Sequence, residues 1–444
     1  MPMRLCDLTL AYTETSGGIR TYIDHKRRHI AEHTGHEHVL IVPGARDRMH
    51  RDGRLTLIEI QSPVIPGCRP YRFFWQPAKV CRALQRSAPD IVELGSFFVC
   101  PWAAFRYREE CRRAGRQCLV SAYFHTDLAE AYVGAPLRQF LVDGVEEISE
   151  TLAGWGNKLS DAAESGAEAT FGQIFRRCDL TFAATATQAR RVREYGVDGT
   201  HVVPLGVDLG CFSPQRRSRD WRLGHGVGDD DLLLIYCGRL DGEKDVTVLA
   251  DAFARLTAGA QAAGDAGGAP RQWHLMLLGE GPLRETLQRR AAGLPGLHVM
   301  GYERDRDAYA TALASADLYV TAGAHETFGL AVVEALASGL PVVGVDAGAL
   351  RERVSPGLGL LGPVGDAGAF AANIRSVARQ RQAMARAARE HVLAAGYGWH
   401  RSFERLLGLY GRALAGEAGA PAAVPADAAA GQRRAIEVTE PGRR

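Results

Sequence analysis

The sequence predicts an α/β protein with two doubly wound parallel sheets, and three observations predict it. Short apolar segments alternate with helical segments, which is the pattern of parallel sheets covered by helices on both faces. This alternation pauses near residue 204 and restarts at Leu232–Cys237. The chain has 444 residues, of which 46% are apolar, so it is long enough for two or three domains with buried cores.

Residues 1–204 are expected to form an N-terminal domain. Short apolar or alternating segments predict its strands, and segments with helical periodicity lie between them. The predicted strands are Arg4–Tyr12, Val39–Pro43, Leu55–Ile60, Asp90–Leu94, Cys118–Phe124 and Leu180–Ala184, and the predicted helices are Arg20–His33, Val80–Ser87 and Thr187–Tyr195. A long, polar, helix-rich segment from about residue 138 to residue 177 interrupts the series.

Residues 205–395 are expected to form a second domain, which the chain enters through Val202–Asp208. The predicted strands are Leu232–Cys237, Trp273–Leu278, Leu297–Met300, Asp317–Val320 and Val342–Val345, and the predicted helices are Thr247–Leu256, Leu283–Ala292, Asp307–Ala314, Phe328–Ser338 and Ala369–Ala394. A last helix is predicted within 396–415, at Trp399–Leu414. The Ala/Pro-rich residues 416–444 are expected to be disordered, and Ala258–Pro270 is expected to be a loop.

Charge and cysteine content narrow the functional classes. The net charge of +2 does not indicate nucleic-acid binding by the chain as a whole. Residues 1–118, however, hold 19 Lys and Arg against 12 Asp and Glu. That excess of positive charge has two interpretations. The surface contacts anionic lipid or an acidic acceptor, or it is an ordinary solvated surface. The nine cysteines are scattered and form no C-x-x-C pair, which predicts reduced thiols. No histidine pair is judged to lie at zinc-ligand spacing. We therefore expect a cytoplasmic protein that contacts the inner face of the membrane at most peripherally, since no apolar run reaches about 18 residues.

The most informative segment runs from His325 to Pro341 and contains Glu326 and Glu334, eight residues apart. A strand, a short loop and a helix are predicted here, with one carboxylate in the loop and one about two helical turns inside. A helix start favours a phosphate, and carboxylates beside a phosphate are useful when they bind hydroxyl groups. The segment therefore predicts a sugar-nucleotide site. The alternative is a helix with one capping and one surface Glu.

This segment resembles the E-x7-E signature of the retaining glycosyltransferases of family 4, which have the GT-B fold. Three other segments resemble the same family in the same order: Ser16–Arg20, Tyr123–Asp127 and Gly238–Lys244. The resemblance extends from about residue 4 to about residue 412. It implies two Rossmann-like domains that face a central cleft, with the last helix packing back on the N-terminal domain. It also implies a donor site on the C-terminal domain and an acceptor site over the N-terminal domain.

Arg239 and Lys244 follow a predicted strand, at the edge of a parallel sheet where ligands bind. Arg can bind a diphosphate through two hydrogen bonds, and Lys supplies a mobile charge. Because no D-x-D motif appears where a metal-dependent transferase would need one, these cations are expected to replace a metal ion, and no metal or cofactor is expected. A solvated turn is the alternative. In the family, the matching Arg and Lys bind the diphosphate.

The resemblance assigns roles in the N-terminal domain to two further segments. Gly17 and Gly18 form a strand-to-helix turn without the G-x-G-x-x-G pattern of dinucleotide sites, and the family's matching loop contacts the donor phosphate and borders the acceptor. His125 matches a histidine that contacts the donor sugar near its anomeric carbon. Arg20 and Asp127 are expected to meet the acceptor. A tight turn and a structural histidine are the alternatives.

Within the C-terminal domain, Glu326 is expected to bind donor-sugar hydroxyls, and Glu334 the ribose hydroxyls. Three backbone N–H groups are expected to help Glu326, those of Phe328, Gly329 and Leu330. Gly301 and Tyr302 follow a predicted strand and are expected to flank the nucleotide base; a surface aromatic is the alternative for Tyr302.

The predicted function is a metal-independent, retaining hexosyltransferase. A front-face displacement is expected, because no carboxylate is placed as a nucleophile. GDP-mannose and UDP-glucose are the favoured donors, and the acceptor is the hydroxyl of a lipid, a glycan or a small molecule. Two alternatives remain open: a sugar-nucleotide epimerase of the same fold and a non-catalytic partner subunit.

Overall fold

The computed structural model describes residues 2–13, 17–65, 71–96, 100–125, 169–263 and 272–417, with no side chains described for 259–263. Within these ranges the chain forms two sheets, of eight and six strands. Helices pack against the strands of both sheets, as an α/β architecture requires. No helix in the described ranges combines the length and the apolar character needed to cross a bilayer.

The N-terminal sheet has the strand order β3-β4-β2-β1-β5-β6-β7-β8. Its central strands are buried along their length, because helices cover both faces. Neighbouring strands are parallel except β3 and β4, which pair antiparallel at one edge. The strands are β1 (Arg4–Leu8), β2 (Glu37–Gly44), β3 (Arg48–Asp52), β4 (Leu55–Gln61), β5 (Ile91–Leu94), β6 (Leu119–Phe124), β7 (Leu180–Ala183) and β8 (Thr200–Val202).

The C-terminal sheet is entirely parallel and has the order β11-β10-β9-β12-β13-β14. Its first strand in sequence, β9, is apolar and lies in the interior of the sheet between β10 and β12. The strands are β9 (Leu232–Cys237), β10 (Trp273–Leu278), β11 (Leu297–Met300), β12 (Leu318–Val320), β13 (Val342–Val345) and β14 (Gly359–Gly362).

Several helix starts are set by capping side chains. Thr185, Asp305 and Asp366 each accept hydrogen bonds from backbone N–H groups in the first turn of the helix that follows. The α-helices are α1 (Gly17–His33), α2 (Pro77–Ser87), α3 (Cys100–Arg113), α4 (Ala186–Glu194), α5 (Arg219–Gly224), α6 (Val246–Ala263), α7 (Arg284–Ala291), α8 (Arg306–Ser315), α9 (Leu330–Ala337), α10 (Leu350–Arg353), α11 (Ala367–Ala395) and α12 (Trp399–Leu414), and Pro214–Arg216 is a 3-10 helix.

The last helix, α12, returns to the N-terminal sheet and packs against α1, as the resemblance implied. The hydroxyl of Tyr410 donates to Glu93 Oε2 on β5 at 2.6 Å and lies 2.8 Å from Ser121 Oγ on β6. The chain crossing needs a glycine at Gly206, because a Cβ there would collide with the backbone of Trp399. These contacts fix the end of the chain to the N-terminal sheet.

A buried ionic network lies beneath α1 and was not predicted from the sequence. Lys26 Nζ is 2.7 Å from Asp7 Oδ1 and 2.7 Å from Glu93 Oε2, with its side chain 1% exposed. His38 Nε2 approaches the other Asp7 oxygen at 2.9 Å, and the Tyr22 hydroxyl donates to Glu93 Oε1 at 3.0 Å. Since a buried charge without partners costs several kcal/mol, this network fixes the position of α1 on the sheet.

Two expectations about the fold are wrong, and others stay predictions. The loop expected at Ala258–Pro270 is wrong in its first part, because the alanine-rich chain continues α6 to Ala263; residues 264–271 lie outside the described ranges. The expectation about histidine spacing is also wrong, since His29 and His33 lie on successive turns of α1 and meet His400 of α12. Most of the segment from about 138 to 177 and residues 418–444 lie outside the described ranges, so the disordered tail stays a prediction, as do the domain boundaries at 204 and 395.

Candidate active site

The carboxyl ends of the two sheets meet at a cleft where predicted site residues from distant parts of the chain come together. Thr327 Oγ1 donates to the carbonyl oxygen of His125 at 2.7 Å. A Cβ placed on Gly18 would lie 3.9 Å from Leu330 Cδ2. The glycine turn, the histidine and the E-x7-E segment are therefore neighbours, although more than 300 residues separate Gly18 from Leu330 in the sequence.

His125 follows β6 and is held by aromatic rings. Its ring stacks on Tyr123 with centroids 4.2 Å apart, and the ring of Tyr22 lies 4.8 Å away. Burial, reinforced by the positive charge of Lys26, lowers the pKa of His125 to about 3. The imidazole is therefore neutral at physiological pH, a form that offers one hydrogen-bond donor and one acceptor to a sugar.

Lys244 and Glu326 form an ion pair across the site. Lys244 Nζ donates to Glu326 Oε1 at 2.8 Å and lies 3.5 Å from Glu243 Oε1. Burial works to lower the pKa of Lys244, but the carboxylates of Glu326 and Glu243 outweigh it and raise that pKa. Lys244 is thus a permanent cation that is 14% exposed and already bound to oxygen anions.

Arg239 lies at the same sheet edge but is more exposed, with 56% of its side chain accessible. Its guanidinium donates to Asp241 Oδ2 at 2.5 Å and also to Glu243. Asp241 in turn accepts from the backbone N–H of Lys244 at 3.1 Å. Carboxylates of the loop between β9 and α6 therefore hold Arg239, whereas Lys244 is held mainly by Glu326, from the loop before α9.

Two glycines have left-handed backbone conformations next to the cleft. Gly17, at the first position of α1, has φ +46°, and Gly329, the residue before α9, has φ +73°. Other residues rarely adopt this conformation, which explains the residue type at both positions. Helix α9 begins at Leu330, so Phe328 and Gly329 lie in the loop that leads into it.

The loop before α9 is fixed from below by Arg353. Its Nε donates to the carbonyl oxygen of Phe328 at 3.1 Å, and its guanidinium lies over the buried Phe328 ring at 4.2 Å. Arg353 thereby holds both the backbone and the ring of Phe328.

Glu334 is buried on the inner face of α9. The hydroxyl of Tyr309 donates to Glu334 Oε2 at 2.9 Å, and Arg306 Nη2 lies 3.9 Å from Oε1. Burial raises the pKa of Glu334 to about 7, although Arg306 and Tyr309 oppose this shift. The group can therefore change its protonation state near neutral pH.

Sequence reasoning did not single out Arg306 and Tyr309. Arg306 Nε and Nη2 are buried without a hydrogen-bond partner within the described part of the chain. One feature of the sequence could have indicated a role for Arg306, which occupies the first position of α8. A cation is unfavourable at the start of a helix, so an arginine there suggests an interaction outside the helix.

The predicted base-flanking residues Gly301 and Tyr302 lie at the carboxyl end of β11, and Glu280 lies at the carboxyl end of the neighbouring β10. Tyr302 is 54% exposed, and its backbone N–H donates to Glu280 Oε1 at 3.4 Å. Arg284 Nη1 donates to the same oxygen at 2.7 Å. A Cβ on Gly301 would lie 3.3 Å from it, so Glu280 lies against the predicted base site.

The predicted acceptor residues are only partly described. Arg20 lies on α1, where its guanidinium is 5.5 Å from the centre of the Tyr12 ring and Nη1 donates to the carbonyl oxygen of Thr13 at 3.2 Å. An ion pair of 3.5 Å joins it to Asp24. Asp127 lies outside the described ranges.

Family models match both halves of the chain. Residues 16–210 match the model described as "Glycosyltransferase Family 4", and residues 231–380 match "Glycosyl transferases group 1". The chain is 33% identical to "GDP-mannose-dependent alpha-(1-6)-phosphatidylinositol dimannoside mannosyltransferase" of Mycobacterium tuberculosis, over 80% of this chain and 82% of that protein. It is 30% identical to "GDP-mannose-dependent alpha-mannosyltransferase" of the same organism, over 89% of this chain and 92% of that protein.

Solved structures confirm the GT-B fold. Sucrose-phosphate synthase from Thermosynechococcus elongatus superposes with a TM-score of 0.71 at 18% identity, covering 94% of this chain and 100% of that one. The Anabaena protein HepE in complex with UDP-glucose superposes with a TM-score of 0.61 at 17% identity, covering 91% and 99%.

Proposed function

The chain belongs to the family 4, group 1 glycosyltransferases, and we propose that it transfers mannose from GDP-mannose, with retention of anomeric configuration and without a metal ion. That it is a glycosyltransferase using a nucleotide sugar follows from the family. The observation that carries the finer proposal is the meeting of Lys244 with Glu326 at 2.8 Å beside the contact of Thr327 with His125 at 2.7 Å. These contacts bring the cation Lys244, the carboxylate of Glu326 and the backbone of His125 close to one another, which supports a donor-sugar site here.

In this proposal the donor diphosphate takes the place of the loop carboxylates around Lys244 and Arg239. A diphosphate carries more negative charge than one carboxylate, and Arg can bind it through two hydrogen bonds. Lys244 then leaves Glu326, and Glu326 is released to accept hydrogen bonds from the sugar hydroxyls. Backbone N–H groups at the start of α9, from Phe328, Gly329 and Leu330, contribute a further positive potential.

The transfer step forms a bond between the acceptor oxygen and the anomeric carbon on the face from which the phosphate oxygen departs. The electron pair of the broken bond goes to the diphosphate, which takes the acceptor's proton. Arg239 and Lys244 stabilise the negative charge that develops there, which is usually the largest catalytic contribution. His125, neutral because its pKa is about 3, binds a sugar hydroxyl and does not carry the proton.

Glu334 binds the ribose, with Tyr309 and Arg306 as positioning residues. Its carboxyl is fixed by Tyr309 at 2.9 Å, which leaves the other oxygen for the ribose. The unsatisfied Nε and Nη2 of Arg306 give it hydrogen bonds to offer once a donor is bound.

Two features support GDP over UDP. The relatives at 33% and 30% identity carry GDP-mannose in their names. Glu280 lies beside Gly301 and Tyr302, and a carboxylate can accept from both N1–H and the N2 amino group of guanine. Uracil offers one N–H at the matching edge, so it gains less from this carboxylate.

The acceptor proposed is a lipid-linked sugar that reaches the cleft from the membrane surface. Trp75 is 60% exposed and Trp102 is 49% exposed, and they lie near the starts of the adjacent helices α2 and α3. Both helices follow strands whose carboxyl ends face the cleft. Exposed tryptophans beside a basic surface are typical of proteins that touch the headgroup region of a membrane. Gly17, Gly18 and Arg20 lie on the same side, at the start of α1.

The test is a panel of nucleotide sugars offered to the full chain in EDTA. GDP-mannose is expected to raise the melting temperature and to be consumed with a mannosylated lipid acceptor, because a ligand of the folded state stabilises it by mass action. Glu280→Gln should lower the preference for GDP-mannose over UDP-glucose, with Glu285→Gln on exposed α7 as control. Preferential turnover of UDP-glucose by the unmodified protein would contradict the donor assignment. Activity that appears only after magnesium or manganese is returned would contradict metal independence.

A further inference from the structure

Three histidines meet where the first and last helices pack together, away from the donor site. His29 and His33 lie one turn apart on α1, and His400 lies at the start of α12. One ring nitrogen of each lies within 4.8 Å of the others. The ring centroids are 5.0 Å apart for His29 and His400, and 5.2 Å apart for the other two pairs.

The surroundings of the three histidines suit a bound cation. His29 is buried, whereas the side chains of His33 and His400 are 51% and 60% exposed, so an ion has access from one side. Glu404 Oε1 lies 3.1 Å from His400 Nε2 and offers an oxygen.

We propose that His29, His33 and His400 bind one divalent transition-metal ion of the zinc class. Two histidines four residues apart on one helix face are a known geometry for zinc ligands. Zinc–nitrogen bonds of about 2.0–2.1 Å bring tetrahedral ligand atoms to roughly 3.4 Å from each other. The observed 4.8 Å closes to that distance by side-chain rotation of the two exposed rings. Glu404 or water completes the coordination.

The ion would fasten the returning helix to α1. Helix α12 leads from the C-terminal domain to the N-terminal sheet, and α1 begins at Gly17, next to the donor site. Binding at this contact stabilises the docked arrangement by mass action and leaves the diphosphate untouched. This inference does not rest on the donor or acceptor assignment.

The test uses the full chain without a histidine tag, freed of metal by chelation and then titrated with Co²⁺ and Zn²⁺. The expected results are one Co²⁺ per chain with the visible absorption of a tetrahedral site, competition by Zn²⁺, and a melting temperature several degrees higher. His33→Gln with His400→Gln should weaken the affinity at least 100-fold. Both side chains are exposed, so the metal-free variant should melt like the metal-free parent protein.

His50→Gln is the matched control, because His50 is exposed on β3 in the same domain. It should bind Co²⁺ like the parent protein. Absence of uptake at micromolar metal, or equal uptake by the double variant, would overturn the proposal. If the double variant melts at a lower temperature without metal, His400→Gln alone serves, and it must still lose the tetrahedral spectrum.

Discussion

Lys244 Nζ lies 2.8 Å from Glu326 Oε1, and in the proposed donor complex the diphosphate separates this ion pair. The pair orients both side chains before a substrate arrives. In the proposed mechanism, Glu326 becomes available for the sugar hydroxyls when the diphosphate attracts Lys244. The proposal thus couples recognition of the diphosphate to recognition of the sugar through a single ion pair.

Replacing Arg239 and Lys244 together with alanine is expected to abolish transfer while the fold survives. The loss of interactions with the developing charge should cost roughly 3–4 kcal/mol in the transition state, a fall of about 10²–10³ in kcat. Steady-state kinetics with GDP-mannose measures it, and circular dichroism checks the fold. Arg219→Ala, which removes an exposed ion pair with Asp229, is the control. Turnover like that of the unmodified protein would contradict the phosphate-site assignment.

Glu334 makes stability depend on pH. Its pKa is about 7 in the folded chain, against an ordinary value of 4.5, so between these values the folded state binds more protons than the unfolded state. Stability due to this group is fully present at low pH and falls as pH rises, with a slope of up to about 1.4 kcal/mol per pH unit.

Glu334→Gln should therefore remove part of the loss of stability between pH 5 and pH 7. The measurement is the difference in melting temperature between the parent protein and the variant across that range. As pH rises, the melting temperature of the parent should fall relative to that of the variant. Glu285→Gln, at an exposed position on α7, should give a constant difference. A difference that is constant for Glu334→Gln would contradict the raised pKa. Donor affinity should also fall in this variant, because it changes the ribose contact.

At the scale of elements, the strands with long apolar runs were predictable, whereas the exposed strand β3 and the short, glycine-flanked strand β14 were not. Leu232–Cys237 and Trp273–Leu278 have the bounds predicted from their apolar runs. The edge strand Arg48–Asp52 was missed, because all five of its residues are exposed and it lacks an apolar face. Helix α3, Cys100–Arg113, was missed as well; its buried residues form a helical pattern only once Pro101 is placed in the first turn.

The packing of α12 depends on a polar contact that periodicity does not reveal. Tyr410 reads as one more apolar position of an amphipathic helix, yet its hydroxyl donates to the buried Glu93 at 2.6 Å. Glu93 lies within a strand whose apolar pattern predicts burial but no charged partner. Lys26 lies on a helix whose many charges predict an exposed side chain. Long-range pairing among charged residues can be found only when the fold is known.

Tyr410→Phe is expected to lower the stability of the chain by about 1–3 kcal/mol, because a buried carboxylate loses one of its donors. Differential scanning calorimetry of the parent and the variant measures this as a lower melting temperature. Tyr302→Phe removes a hydroxyl from a residue that is 54% exposed and should leave the melting temperature unchanged. Equal melting temperatures for Tyr410→Phe and the parent protein would show that this contact does not hold α12.

At the scale of the whole molecule, the site exists only because the two domains face each other. Thr327 reaches His125 across the cleft, and Glu352 accepts from the backbone N–H groups of Ala186 and Thr187 at 3.2 and 2.6 Å. The four motif segments could be found in the sequence because each has its own pattern. The proximity of these segments in the fold could not be predicted from the sequence. The supporting roles of Arg306 and Tyr309 could not be predicted either, because they depend on how α8 and α9 pack.

The central claim is a retaining transfer from a nucleotide sugar held by Glu326 and Lys244. The most direct measurement is the NMR anomeric coupling constant of the product formed from GDP-α-mannose and an alkyl mannoside acceptor. The account predicts an α-linked product, and none from Glu326→Ala. A β-linked product would contradict retention, and interconversion of the sugar nucleotide without an acceptor would contradict transfer itself.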